Sequence, residues 1–103
     1  MAYEIDFSAP ALLDLDGITH YIAFVLKNPK AADDLLKVYT GKLRALKKSP
    51  RIYPLSQIKK LADKGYRRFS FGNYLALYTI DEENHKVHIV RVFYGKQDYI
   101  NYL

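Results

Sequence analysis

Apolar and polar residues alternate in four short stretches of the chain, and each alternation predicts a strand with one buried face. The first lies at residues 3–7. The other three lie close together at 66–71, 74–80 and 87–94. Between them, the pair Gly72-Asn73 predicts a tight hairpin turn and residues 81–85 a more open one. We therefore expect a separate first strand and a three-stranded antiparallel meander.

Apolar residues at helical spacing lie between the first strand and the meander. Ser8 is suited to cap a helix with Pro10 in its first turn, and the apolar stripe of this helix is most regular over Ile18–Lys27. A second helix is predicted to begin after Asn28 and to end at Ser49, with a proline following each. Because the connection is short, we expect the two helices to form an antiparallel hairpin that covers the strands.

Residues 51–64 connect the second helix to the meander. This segment is basic, contains Pro54 and predicts a short helix after Ser56. Its apolar residues indicate that it packs against the rest of the protein. Without a repeat or a linker, residues 1–103 are expected to form one α+β domain with a short C-terminal tail.

Composition narrows the class of protein. The apolar runs fall well short of the roughly 18–20 residues that cross a bilayer, and the first residues lack an export signal. We therefore expect a cytosolic protein that is not associated with a membrane. There is no cysteine, and the histidines at 20, 85 and 88 lack metal-binding spacing, so neither a metal site nor a cofactor is predicted.

Charge is distributed unevenly along the chain, whose net charge is +5. Residues 42–68, which we call the basic belt, contain ten basic side chains and a single acid, Asp63. Residues 1–34 contain six acids and only two lysines. Such a field attracts nucleic acid or an acidic protein, although a charge count alone is more typical of a solvated face.

Several local strings, spread over nearly the whole chain, carry a resemblance to a known family. They are HYIA at 20–23, NPKAA at 28–32, LKKSP at 46–50, GYRR at 65–68, the hairpin 72–78 and VRVFYGKQDY at 90–99. In this order the chain resembles the RelE/ParE toxins of bacterial type II toxin-antitoxin systems. The resemblance implies that family's fold and the role of toxin in an addiction or plasmid-stabilisation module. It also implies a hetero-oligomer in which a cognate acidic antitoxin prevents the toxin from inhibiting the growth of its own cell.

The family has two functional branches. RelE-like toxins cut messenger RNA on the ribosome, whereas ParE-like toxins bind DNA gyrase and have no nuclease site. RNA cleavage needs a group that accepts the ribose proton, cations beside the phosphate and an acid for the leaving oxygen. Because the two branches share one fold, only the presence or absence of these catalytic groups distinguishes them in this chain.

Four positions of the RelE-like nuclease pattern can be compared with this chain. Arg67 matches the basic residue of the first meander strand, and Tyr99 or Tyr102 approximates the C-terminal tyrosine. The other two positions fail, because Leu75 and Gln97 stand where arginines are expected. Loss of one such cation costs about 100-fold to 1000-fold in rate, so the sequence favours the ParE-like branch.

The resemblance still defines two sets of candidate site residues. For a nuclease with a rearranged site, the candidate catalytic residues are Arg67, Lys96, Tyr94 and Tyr99. For binding nucleic acid or a protein target, the candidates are Arg68, Arg91, Gln97, Lys59 and Lys60. Alternation predicts that Arg67 and Arg68 face opposite sides of their strand.

Two further expectations concern buried polar groups. Arg91 alternates in step with Val87, Ile89 and Phe93, so we expect it to be partly buried and paired with an acid or with backbone carbonyls. The tyrosines predicted to belong to the core are Tyr21, Tyr39 and Tyr78, whereas Tyr94, Tyr99 and Tyr102 are predicted to pack under an antitoxin or to stack on a base.

Three functions remain open from the sequence. A toxin that binds a protein such as gyrase is favoured by the missing arginines. A ribosome-dependent mRNA endoribonuclease is favoured by Arg67, Lys96 and the tyrosines, and a non-toxic nucleic-acid-binding domain only by charge. We expect the acidic segment of the antitoxin to lie along the basic belt and in an apolar groove between helices and sheet.

Overall fold

The computed structural model describes residues 2–95. Its elements, in chain order, are β1 (Glu4–Phe7), α1 (Ala9–His20), a π-helical turn (Tyr21–Val25), α2 (Pro29–Lys48), α3 (Lys59–Ala62), β2 (Arg67–Phe71), β3 (Tyr74–Asp81) and β4 (Lys86–Tyr94). This order confirms the predicted α+β class. Within residues 2–95, no helix is both long and apolar enough to cross a membrane.

The four strands form one sheet in the order β1-β4-β3-β2. The predicted antiparallel meander is confirmed by the pairing of β2 with β3 and of β3 with β4. β1 lies parallel to β4, with Glu4 opposite Lys86 and Phe7 opposite Ile89. The sequence pattern did not indicate this pairing, which makes β4 an interior strand.

Predicted caps hold both long helices. Ser8 Oγ accepts a hydrogen bond from the Ala11 N–H at 3.0 Å, and Asn28 Oδ1 accepts one from the Ala31 N–H at 3.1 Å. The first helix is already regular from Ala9, whereas the sequence predicts its most regular part only from Ile18 onward. Its irregularity comes at the other end, in the π-helical turn.

The principal core lies between the sheet and the helices. Its buried members are Ala11, Tyr39, Leu46, Phe69, Phe71, Ala76, Tyr78, Val87, Ile89 and Val92. Tyr39 and Tyr78 are confirmed as core residues, and burial is the main reason that the pKa of each is raised to about 12. The prediction for Tyr21 is wrong, because its side chain is 49% exposed.

A β-bulge in β4 changes which side chains face the helices. Leu77 pairs with Arg91, whereas Tyr78 pairs with Ile89, so Val90 is the extra residue. The alternation is reversed at this point, and Arg91 lies on the face of Leu77. The prediction that Arg91 shares the face of Ile89 is therefore wrong.

The connector between α2 and β2 folds over the second face of the sheet. Leu61 of α3 is buried there in a small cluster with Leu75, Leu77 and Phe93. The short helix is thereby confirmed, and so is the packing of Leu61, whereas Ile52 and Leu55, which were also expected to pack, are 57% and 44% exposed. Ile58 also packs against the cluster.

Candidate functional site

β2 directs two consecutive arginines to opposite faces of the sheet, as the sequence predicts. Arg67 pairs with Tyr78 on the helix side, and its Nη1 donates a hydrogen bond to the Tyr53 carbonyl at 2.7 Å. Arg68 pairs with Leu77 on the opposite face. The structure thus ties the guanidinium of Arg67 to the backbone and places Arg68 at the cleft on the other side.

This cleft has a volume of about 390 Å³ and lies beside the β2–β3 hairpin. It is lined by Gln57, Arg68, Ser70, Gly72, Asn73, Tyr74, Leu75, Tyr94 and Gly95. We call it the Arg68 cleft. Within residues 2–95, Arg68 Nε is buried without a hydrogen-bond partner. The guanidinium as a whole lines the cleft, and its positive charge favours an anionic group such as a carboxylate or a phosphate.

The β2–β3 turn shapes one wall of the cleft. Gly72 has a φ of 60°, the sign that tight hairpin turns require at their first central residue. The Gly95 N–H donates a hydrogen bond to the Asn73 carbonyl at 2.8 Å, which ties the residue after β4 to the turn. A Cβ atom at Gly95 would lie 3.1 Å from the Asn73 carbonyl oxygen, so this close approach depends on glycine.

Three tyrosines lie together where the Arg68 cleft meets a second cleft. The rings of Tyr74 and Tyr94 contact edge to face with 5.8 Å between their centroids. Both residues also line the second cleft, of about 680 Å³, together with Tyr21. Burial raises the pKa of Tyr74, and the neighbouring Tyr94 and Tyr21 raise it further. The cluster offers uncharged aromatic surface to a ligand.

An ion pair lies in the wall of the second cleft. Asp14 Oδ2 accepts hydrogen bonds from Arg91 Nε at 2.7 Å and from the Val92 N–H at 3.0 Å. Its Oδ1 accepts from Arg91 Nη2 at 3.0 Å. The expectation that Arg91 is partly buried and has a polar partner is therefore confirmed, and of the two expected kinds of partner the structure shows an acid.

The remaining candidates lie outside the cleft or outside the described residues. Lys59 and Lys60 are exposed on α3, and Lys59 Nζ lies 2.8 Å from Asp63 Oδ2. Neither lysine lines the Arg68 cleft. The predictions for Lys96, Gln97, Tyr99 and Tyr102 fall outside residues 2–95.

Comparison with known families decides the class of the protein. The family described as ParE toxin of the type II toxin-antitoxin system, parDE, matches residues 5–99. The chain belongs to this family. Comparison with curated proteins gave no significant match.

Solved structures share the fold of this ParE-family toxin. A chain of the RelBE2 toxin-antitoxin complex from Mycobacterium tuberculosis is 23% identical, with a TM-score of 0.61 over 91% of this chain and 99% of that one. A chain of the chromosomal ParDE system from P. aeruginosa is 16% identical, with a TM-score of 0.68 over 92% and 98%. A chain of the intact E. coli RelBE complex is 20% identical, with a TM-score of 0.61 over 93% and 100%.

In the described part of this ParE-family toxin, the titratable side chains of the Arg68 cleft are one arginine and two tyrosines. Within residues 2–95, neither a carboxylate nor an imidazole lines the Arg68 cleft. The same part of the chain has no group of three or more potential metal ligands among its His, Cys, Asp and Glu residues.

The structure adds cleft residues that sequence analysis did not single out. Tyr74 pairs with Tyr94 across β3 and β4, a relationship that requires the register of the bulged strand. Ser70 follows Arg68 on the same strand face, so alternation could have identified it. Gln57 belongs to the irregular connector, and no pattern in the sequence marks it.

Proposed function

We propose that this toxin arrests growth by binding DNA gyrase and does not act by cutting RNA. The observation that carries the proposal is the position of Leu75. It follows Tyr74, where the RelE-like pattern has an arginine, and its side chain is only 8% exposed in the cluster with Leu77 and Phe93. A buried aliphatic side chain supplies no charge to a phosphate in the transition state.

The tyrosines of the cleft support the same proposal. A general base works best when its pKa lies near the pH at which the reaction runs. The pKa of Tyr74 is raised, mainly by burial, so this phenol stays protonated at neutral pH. It therefore suits packing and hydrogen bonding to a partner better than abstraction of a ribose proton.

Arg68 is the residue that we propose to contact the target. Its side chain lines the cleft, and a guanidinium in that position is suited to a carboxylate on a protein surface. Lys59 and Lys60 lie on the same basic belt and are proposed as weaker, exposed contacts.

The α2 end of the basic belt, with Arg44 and Lys47, is proposed to receive the cognate antitoxin. A groove of about 240 Å³ between β1 and α2 is lined by Ile5, Phe7, Thr40, Leu43, Arg44 and Lys47. Its apolar floor and cationic rim suit an acidic, partly apolar segment. We therefore expect antitoxin affinity to fall as salt rises and to fall in the Arg44→Glu/Lys47→Glu variant. An affinity that changes with neither salt nor this charge reversal would contradict the assignment.

A ribosome-dependent endoribonuclease is the second candidate, because Arg68 and Tyr94 share one cleft. Induction of the toxin without antitoxin separates the two functions. Gyrase binding predicts double-strand DNA breaks and inhibition of supercoiling by the purified proteins. Primer extension on the same cells tests the alternative, since cuts within translated codons mean a nuclease.

Matched variants assign the effect to the cleft. Arg68→Gln is expected to reduce gyrase inhibition by about tenfold or more, as loss of a charged anchor commonly does. Arg67→Gln, one residue away on the opposite face, is expected to retain inhibition. The proposal would be overturned in favour of the nuclease if the wild-type toxin cleaves transcripts without inhibiting supercoiling and Arg68→Gln abolishes that cleavage.

A further inference from the structure

Six large apolar side chains along α1, the π-helical turn and the next residue are 49–72% exposed. They are Leu12, Leu13, Tyr21, Phe24, Val25 and Leu26. We call this surface the apolar ridge. At roughly 200 Å² for an aromatic side chain, the exposed fractions of Tyr21 and Phe24 alone amount to roughly 240 Å². Because six large apolar side chains are exposed on one short segment, the ridge is a candidate interaction site.

The backbone of the ridge has an uncommon geometry. The Leu26 N–H donates a hydrogen bond to the Tyr21 carbonyl at 3.0 Å, five residues back, which defines a π-helical turn over Tyr21–Val25. This wider turn interrupts the 3.6-residue period that would otherwise continue the buried stripe of α1. Turns of this kind are rare and frequently found at functional sites, which gives a second observation independent of exposure.

The charged side chains that line the groove beside the ridge are acidic, while Lys27 follows directly after Leu26 at the end of the ridge. Phe24 lines a groove of about 240 Å³ with Asp16 and Asp33, and the floor of this groove includes Ala23, Ala32 and Leu36. Both carboxylates belong to exposed residues. The ridge therefore differs in sign from the basic belt, where the groove between β1 and α2 has a cationic rim.

The acidic side chains beside the ridge make some binding partners more suitable than others. A second copy of the chain would place the acidic rims of two ridges side by side, and an acidic antitoxin segment would be repelled in the same way. A complementary partner has an apolar stripe flanked by Lys or Arg. The two surfaces of the toxin thus suit two different partners.

We propose that the apolar ridge is the docking surface for the protein that the toxin disables, and that it takes an amphipathic helix with cationic flanks. This inference rests on the proposed function, since it assigns a surface to the same target. The Arg68 cleft lies at one end of this surface, because Tyr74 and Tyr94 line both that cleft and the one containing Leu13 and Tyr21.

A double variant of the ridge tests the proposal. Leu13→Ser/Phe24→Ser changes side chains that are 72% and 69% exposed, so the fold should be retained. Its affinity for purified gyrase is expected to fall about 30-fold, the loss typical of central interface residues, and its induction should no longer arrest growth. Antitoxin affinity should stay unchanged, which also shows that the variant is folded. Val38→Ser, a change at a residue of α2 that is 46% exposed, is the control and should behave like wild type.

Charge reversal tests the expected chemistry of the partner. Asp16→Lys/Asp33→Lys is expected to weaken gyrase binding about tenfold at low salt and to leave antitoxin binding unchanged. Arg44→Glu/Lys47→Glu should weaken antitoxin binding and leave gyrase binding unchanged. The inference is overturned if ridge variants lose the antitoxin yet still arrest growth, or if wild type is a dimer that the ridge variants convert to monomers.

The wild-type chain distinguishes failure of the inference from failure of the proposed function. Growth arrest without gyrase binding would overturn the choice of gyrase as the target. Comparing growth arrest by wild type and by Leu13→Ser/Phe24→Ser would still show whether the ridge binds the target. Absence of arrest by the wild-type chain would overturn both. Arrest by wild type and by Leu13→Ser/Phe24→Ser alike would overturn the inference about the ridge alone.

Discussion

Asp14 holds both the side chain of Arg91 and the backbone of the residue that follows it. Its Oδ2 atom lies 2.7 Å from Arg91 Nε and 3.0 Å from the Val92 N. β1 stops pairing at Ile89, so this carboxylate of α1 satisfies β4 just beyond the end of its partner strand. A helix side chain thereby takes over the role of a sheet neighbour.

Removal of the Asp14 carboxylate should destabilise the fold. We expect Asp14→Ala to lower the free energy of unfolding by about 2–3 kcal/mol, since it removes an ion pair and three hydrogen bonds at a site where the side chains of Arg91 and Asp14 are 22% and 18% exposed. Urea unfolding measures the change. Asp14→Asn keeps one acceptor oxygen and should lose less, and equal losses for the two variants would contradict this account.

Ser8 is expected to contribute more than an ordinary helix cap. Its Oγ accepts from the Ala11 N–H at 3.0 Å and donates to the Val90 carbonyl at 2.6 Å, at the bulge of β4. Ser8→Ala loses both bonds, so we expect a cost of about 2 kcal/mol where a cap alone costs about 1 kcal/mol. Thermal unfolding of Ser8→Ala and Ser8→Thr checks this, because threonine retains the hydroxyl. A loss no larger than that of Asn28→Ala would show that the Val90 bond contributes little.

Two glycines should respond in opposite directions to the same substitution. Gly72 has a φ of 60°, and an added Cβ would lie 2.8 Å from Leu35 Cδ1, so Gly72→Ala should destabilise by about 1–2 kcal/mol. Gly41 lies within α2 with nothing within 4 Å of its Cβ position. Gly41→Ala should therefore stabilise by about 0.5–1 kcal/mol. Chemical denaturation of both variants tests the pair, and a shared sign would refute it.

Two buried tyrosines should make the fold sensitive to alkali. The pKa of Tyr39 and of Tyr78 is about 12 in the folded protein, against about 10 in an unfolded chain. The unfolded state therefore loses its protons first, and stability that is complete below pH ~10 is lost as the pH rises through ~12. We expect a loss of roughly 1 kcal/mol per tyrosine at pH ~11.

Unfolding in urea at neutral and alkaline pH measures this effect. Tyr78→Phe removes one titrating group and should show a smaller alkaline loss than wild type. It should also cost about 1 kcal/mol at neutral pH, because the Tyr78 hydroxyl donates to the Pro50 carbonyl at 2.8 Å. A variant with the same alkaline loss as wild type would assign the sensitivity to other groups.

Features set by nearby residues were predictable from the sequence. The caps at Ser8 and Asn28 and the turn at Gly72 each depend on a few adjacent positions, and all three occur as expected. The opposite facing of Arg67 and Arg68 follows from the regular alternation of an unbulged strand.

Features set by distant contacts were not predictable. The extra residue Val90 reverses the phase of β4, and nothing in the local pattern distinguishes a bulge from a regular strand. The π-helical turn shifts Val25 and Leu26 out of the 3.6-residue period, so these two members of the predicted stripe are exposed. The parallel pairing of β1 with β4 joins residues about 80 positions apart, which periodicity cannot indicate.

That parallel pairing also has a consequence for synthesis of the toxin. Glu4 emerges early, yet its partner Lys86 is added about 80 residues later, which takes roughly 4–16 s at typical elongation rates. During this interval β1 has no neighbouring strand with which to form hydrogen bonds, because β4, the interior strand of the sheet, has not been synthesised. Each nascent molecule therefore passes through a period in which the finished binding surfaces do not yet exist.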